Sequence, residues 1–226
     1  MAPKSTPKRL ASAASFRRRL LAWFRRHGRD LPWRRTRNPY RILVSEVMLQ
    51  QTQVARVTEY YPRFLRAFPS LPRLAEASPA RVREEWHGLG YYRRAANLHR
   101  LAQQVVAEHA GRIPEQPEAL QRLPGVGRYT AGAVASFAFE RAVPAVDTNV
   151  ARVLRRAFHP RLPPGTRGER RLWDTAATLL PRGGAAAWRF NQAVMELGAL
   201  ICTARVARCE RCPVAAACAT GRQRTA

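Results

Sequence analysis

Apolar residues recur at three- and four-residue intervals along most of this chain, and nowhere do they alternate in the two-residue rhythm of a half-buried strand. Phe16, Leu20, Leu21 and Phe24 make one stripe; Ile42, Leu43, Val47, Leu49 and Val54 belong to another segment, opened after Pro39. Further helical stretches are expected near 79–87, 92–110, 115–122, 128–139, 147–158, 168–180 and 186–201. Joins rich in proline and glycine, "GRIPEQP" and "HPRLPPGTRG", separate them. The fold class expected is all-α. No internal repeat is visible. The N-terminal residues 1–13 read as a disordered basic tail, although their composition also resembles an organelle transit peptide.

The chain has 226 residues, enough for one large domain or two small ones, each with its own core. No apolar run approaches the roughly 20 residues that span a bilayer, which excludes a membrane protein. Lys and Arg number 40 against 15 acids, a net charge of +25. Such a field suits a polyanion, nucleic acid first, although arginine-rich usage also follows from genome composition. The only lysines are Lys4 and Lys8, so the body of the chain has none.

Three motifs carry chemistry. "LPGVGRYTAG", Leu123–Gly132, reads as a short helix, a glycine turn and a new helix near Arg128. Consecutive amides at such a turn make a nest for a phosphate, placing Gly125, Val126, Gly127 and Arg128 against DNA; a plain tight turn is the alternative. In "VPAVDTNVARVLRR", Asp147 stands at a helix start, where a cap and a rigid catalytic carboxylate are compatible readings. Cys202, Cys209, Cys212 and Cys218 follow a C-x6-C-x2-C-x5-C spacing within the last 25 residues. Clustered thiols imply a reducing compartment and a metal site, either zinc or an iron–sulfur cluster. The wide, uneven loops suit a cubane better than one ion. In "SEVMLQQTQV", Glu46 lies on an apolar helix although Arg34, Arg35, Arg37 and Arg41 precede it. It is either their neutraliser or a chemical group.

With "RDLPWR", "GLGYYRRAANLH" and "FNQAVMELGALIC", these strings resemble the MutY family of adenine DNA glycosylases, in the helix–hairpin–helix, endonuclease III superfamily, across residues 14–218. The resemblance implies a six-helix barrel domain over 30–142 and a second helical domain, 14–29 with 143–226, holding a 4Fe–4S cluster on the four cysteines. It implies double-stranded DNA gripped between them and excision of adenine opposite 8-oxoguanine or guanine. Glu46 matches the acid that protonates N7 of the target adenine, and Asp147 the carboxylate facing the oxocarbenium-like sugar. A carboxyl shielded from water can keep a proton, and two carboxyls in opposite states follow glycosidase logic. By the same resemblance Tyr129 neighbours the catalytic aspartate and Asn149 helps to orient water. Arg29, Trp33 and Arg34 wall the base pocket with Glu196 as a second carboxylate, while Gln51 and Tyr91 fill the gap left by the extruded base. For Trp33, Tyr91 and Tyr92, plain core packing is the competing reading.

Two departures stand out. Thr148 replaces the glycine common after the family's aspartate, and the sequence stops eight residues past Cys218, where typical members continue into a Nudix-like domain. A short form without that domain is expected, working as a monomer in the bacterial cytoplasm at the nucleoid, with no membrane association. The runner-up is a thymine or uracil mismatch glycosylase on the same scaffold. A glycosylase/lyase would need a lysine where Tyr129 sits. A non-catalytic DNA-binding module would need neither Glu46 nor Asp147.

Overall fold

Proline sets where several helices begin. Its fixed φ suits the first helical turn, where its missing N–H costs nothing. Pro39, Pro79 and Pro117 each occupy the first position of a helix. Side chains just upstream complete the starts: Asn38 accepts from the Arg41 amide at 3.1 Å and Ser78 from that of Arg81 at 3.2 Å.

The computed structural model describes residues 7–163 and 165–225, with side chains from 13 to 224 within them. Its helices are α1 (Pro7–His27), α2 (Pro39–Leu49), α3 (Val54–Ala67), α4 (Leu71–Glu76), α5 (Pro79–Glu85) and α6 (Arg93–His109). They continue as α7 (Pro117–Leu120), α8 (Arg128–Phe139), α9 (Thr148–Phe158), α10 (Thr166–Leu179), α11 (Gly184–Leu200) and α12 (Ala219–Thr225). Short 3-10 turns cover Pro32–Arg34, Cys209–Arg211 and Ala215–Ala217. Among the described residues there is no strand, only an isolated bridge between Cys202 and Ala207.

Three expectations need correction. The segment from Ile42 to Val54 is not one helix: α2 ends at Leu49, and Val54 opens α3. The break is backbone geometry, because Gln51 has φ 55° and no helix continues through it. α3 and α4 were not anticipated. Pro62 inside α3 reads as a breaker, yet it sits between helical turns. The tail is shorter than residues 1–13, since its alanine-rich part joins α1 from Pro7; the first six residues, Lys4 among them, lie outside the described ones.

The chain divides into two compact units, residues 30–141 and the N-terminal segment through Arg29 with 142 onward. Within residues 30–141, α2 packs on α8 and both are buried on nearly every face, the mark of central helices. Alanine and glycine along α8 (Ala131, Gly132, Ala133, Ala135) let α2 approach closely. Around them Phe64 meets Phe68 and Trp86 edge-on, at 4.9 and 5.7 Å between ring centres. In the other unit Phe16 and Leu20 of α1 join Val150, Leu154, Leu172, Phe190 and Val194 in one core. Gly198 of α11 is needed for the fit, since a Cβ there would stand 2.7 Å from the Asn149 Cβ on α9.

Candidate active site

Glu46 lies among Leu43, Val44, Val47 and Met48 on the central helix and is only 4% exposed. The Tyr129 hydroxyl donates to its Oε2 at 2.7 Å. Tyr129 can do so because it is the second residue of α8, which starts where the Leu123–Gly127 turn ends. That turn closes with the Val126 amide donating to the Leu123 carbonyl at 3.2 Å. Gly125 takes φ +76°, and a Cβ on it would strike Asn97 at 2.8 Å, so both backbone and packing require glycine. Gly125, Gly127 and Arg128 are exposed, whereas Val126 turns its side chain into the core. Gly127 caps α8 without a side chain, and Ala131 is the first residue to bond back, to the Gly127 carbonyl at 2.9 Å. The positive end of a twelve-residue helix thus stands beside exposed glycine backbone, a setting for an anion.

In the other unit Asp147 is the N-cap of α9. Its Oδ1 accepts from the Val150 amide at 2.7 Å and its Oδ2 from the Asn149 side-chain amide at 2.8 Å. Arg152, one turn on, donates to Asn149 Oδ1 at 2.7 Å and to the Gly198 and Cys202 carbonyls at 2.9 and 2.8 Å. Burial lowers the Arg152 pKa. Upstream, Asn191 holds the approach to Asp147, donating to the Val143 carbonyl at 2.9 Å. Tyr129 and Asp147 belong to different units.

Glu196 is fully buried, and Arg29 grips it with a fork: Nε to Oε1 at 2.8 Å and Nη2 to Oε2 at 2.9 Å, with the Arg29 amide adding 2.9 Å. The hydrogen bond to Glu196 raises the Arg29 pKa. Trp33 and Arg34 lie in the 3-10 turn of the other unit, with Trp33 buried edge-on against Tyr61 at 5.6 Å.

Gln51 and Tyr91 are both exposed and both left-handed, at φ 55° and 47°. Their turns share one partner the sequence did not single out. Arg94, 8% exposed, spreads its guanidinium over the Met48 carbonyl at 2.7 Å, Val47 at 3.1 Å and Gln50, then over Leu89 and Gly90 at 3.1 Å each. The signal for it, and for Arg152 and Asn191, was present: all three fall inside the motif strings, but nothing in a string says that an arginine is buried.

Cys202, Cys209, Cys212 and Cys218 line one cavity with Arg156 and Arg208. Arg156 donates to Cys202 Sγ at 3.3 Å, and the Gly221 amide to Cys218 Sγ at 3.3 Å. Burial pushes the Cys212 thiol up to about 11 and raises that of Cys218. Such thiols become good ligands only when a cationic group shares the cavity. Among the described residues no three or more His, Cys, Asp or Glu side chains converge as a single ion requires. No described helix is long and apolar enough to cross a membrane.

Residues 44–175 match the family described as HhH-GPD superfamily base excision DNA repair protein. The adenine DNA glycosylase of Rattus norvegicus is 46% identical over 219 residues, covering 92% of this chain and 42% of that protein. That of Mycobacterium tuberculosis is 48% identical over 196 residues, covering 86% of this chain and 64% of its own length. The chain therefore spans less than two thirds of these relatives. The solved structure of a thermostable thymine-DNA glycosylase superposes with a TM-score of 0.85 at 30% identity, covering 95% of this chain and 98% of that one.

Proposed function

We propose, for a chain that belongs to the HhH-GPD superfamily of base excision DNA repair proteins, a monofunctional DNA glycosylase activity that releases adenine mispaired with 8-oxoguanine or guanine in double-stranded DNA. The observation that carries it is the Glu46–Tyr129 pair: a buried carboxyl with a phenol donating to one oxygen at 2.7 Å. A carboxyl in an apolar wall favours its neutral form, so Glu46 can carry a transferable proton. Glu46 gives that proton to N7 of the adenine. The C1′–N9 bond then breaks with its electron pair moving to the base, and the sugar becomes oxocarbenium-like. Asp147, held by Val150 and Asn149, supplies the carboxylate that stabilises this cation. Water adds at C1′ and gives up a proton, leaving an abasic site and free adenine. With no lysine beyond Lys8, no amine from the body of the chain attacks C1′, so the strand stays uncut.

Supporting roles follow the same reading. The Leu123–Gly132 hairpin would hold a DNA phosphate with Gly125, Gly127, Arg128 and the Val126 backbone. Gln51 and Tyr91 would occupy the emptied stack. Arg29, Trp33, Arg34 and Glu196 would shape the base pocket, with Glu196 gripped by Arg29. The cysteines would hold a 4Fe–4S cluster that braces the loops from Ile201 to Cys218 and takes no part in the hydrolysis. Residues 30–142 would be the six-helix barrel domain, and 14–29 with 143–226 the cluster domain.

A second reading, excision of thymine or uracil opposite guanine, is favoured by the thymine-DNA glycosylase likeness over almost its full length. One assay separates the two: duplexes carrying adenine opposite 8-oxoguanine or guanine, and thymine or uracil opposite guanine, followed by hot alkali. Adenine release is expected. Release of thymine or uracil with adenine untouched would overturn the proposal in favour of the second reading.

A further inference from the structure

Gln51 and Tyr91 pose a joint question. Outside glycine, left-handed backbone is uncommon and persists only where the surroundings enforce it. Four non-glycine residues among those described adopt it: Gln51, Tyr91, Ala110 and Glu140. The last two end α6 and α8 as ordinary left-handed caps. Gln51 stands just past the α2 C-cap, where glycine would be unstrained, and Tyr91 lies in a loop and is 61% exposed. A large exposed aromatic and a glutamine are thus kept on two strained turns, and stability alone would not select them.

Arg94 joins the two turns. Nη1 donates to the Val47, Met48 and Gln50 carbonyls, ending α2 in place of the N–H groups a continuing helix would supply. Nη2 donates to Thr52 Oγ1 at 3.0 Å and to the Leu89 and Gly90 carbonyls at 3.1 Å, and Nε reaches the Tyr91 carbonyl at 3.4 Å. The guanidinium also lies 5.3 Å from the Trp86 ring centre and 5.6 Å from that of Tyr91. The 88–90 turn is closely packed on its other side, since a Cβ on Gly88 would collide with the Tyr60 hydroxyl. A lysine could not do this, because one ammonium cannot present two divergent arms.

We propose that Arg94 is a positioning residue that fixes the Gln51 and Tyr91 turns as one rigid prong, and that opening of the duplex at the target base depends on this forked guanidinium. The proposal rests on the DNA glycosylase reading above. Extrusion costs the stacking and pairing of the target base, and a prong whose halves moved separately would recover less of it. The same guanidinium ends the helix that carries Glu46, so prong and acid share one support.

The test uses the full chain in a Glu46→Gln background, which prevents cleavage. 2-Aminopurine is placed beside the target base, where its fluorescence reports unstacking whichever base is extruded. Arg94→Lys is expected to lower the extrusion equilibrium by ~10-fold or more, with the salt dependence of duplex binding unchanged, because phosphate contacts are made elsewhere. On a duplex whose target faces an abasic analogue, and so is already unpaired, Arg94→Lys should extrude nearly as the reference does. Should Arg94→Lys fail to fold by circular dichroism, Thr52→Val decides: it removes the 3.0 Å arm of Arg94, together with the long 3.5 Å bond of the Thr52 hydroxyl to the Gln50 carbonyl, and should give a smaller loss in the same direction. Unchanged extrusion, or an equal loss on paired and unpaired targets, overturns the proposal. If the wild type removes thymine and not adenine, the base proposed above is wrong, and the same experiment with thymine as target still judges Arg94.

Discussion

Replacing Asp147 by asparagine separates its charge from its capping role, and the surrounding bonds say what each is worth. The new side chain keeps one acceptor, so it can still cap the Val150 amide now held at 2.7 Å, and asparagine caps about as well as aspartate. The cost arises at the other atom. Asn149 donates its amide to Asp147 Oδ2 at 2.8 Å and accepts Arg152 on its own Oδ1 at 2.7 Å. An amide at 147 would set NH2 against NH2, and turning Asn149 over only moves the clash to Arg152. One mismatched pair at a half-buried site costs about 1 kcal/mol, toward the low end of the range for an unmade bond. For a chain of this size that is ~2–4 °C in Tm. The loss of excision should be far larger, at least ~10²-fold, as when a preorganised electrostatic group is removed from a transition state. Single-turnover release from an adenine:8-oxoguanine duplex, with a calorimetric melt and a binding isotherm at equal salt, reads all three. Excision within about tenfold of wild type would refute the role of the charge. A melt lowered by far more than a few degrees would refute the bond accounting.

Further outcomes follow. Prepared anaerobically, the protein should be brown with about four irons and four sulfides, as a cysteine-bound cubane requires; a colourless, fully active preparation with stoichiometric zinc would exclude the cluster. Borohydride should trap no covalent adduct with an abasic strand, and trapping that survives loss of Lys4 and Lys8 would show different chemistry. Arg29→Met should cost roughly 2–4 kcal/mol in urea unfolding: Glu196 keeps the backbone amide but loses its fork, and the 34% exposure of the Arg29 side chain places the effect below that of a fully buried pair. DNA binding should weaken steeply with salt; a flat dependence would contradict phosphate contact by arginine.

The helices were legible where period, proline and cap agreed. Arg128–Phe139 and Thr148–Phe158 fall within a residue of expectation because glycine or aspartate marks their starts. The α2–α3 break was not legible. Gln-Gln-Thr-Gln contains no turn former, and the left-handed Gln51 is enforced by Arg94, more than 40 residues away. The candidate site divides in the same way. Local strings announced Asp147, its cap bond and the glycine hairpin. Glu196 could be picked out as a carboxylate, but its grip by an arginine 167 positions earlier is a tertiary fact. For the same reason Arg94 and Arg152 read as two among many charges, until folding gave them carbonyls.

That distinction sorts the arginines by how they respond to acid. Fifteen carboxylates cannot partner forty basic residues, and many guanidiniums bind main-chain oxygen instead: Arg94 at Val47 through Gly90, Arg152 at Gly198 and Cys202, Arg156 at Thr203 and Ala204, Arg208 at Leu200. A carboxylate loses its hold once protonated; a carbonyl has no proton to gain. Acidification therefore acts on Arg29–Glu196 and the surface pairs while leaving the carbonyl clasps bonded. Low pH should loosen the chain first where its few acids are, with the turns bearing Gln51 and Tyr91 among the last parts to let go.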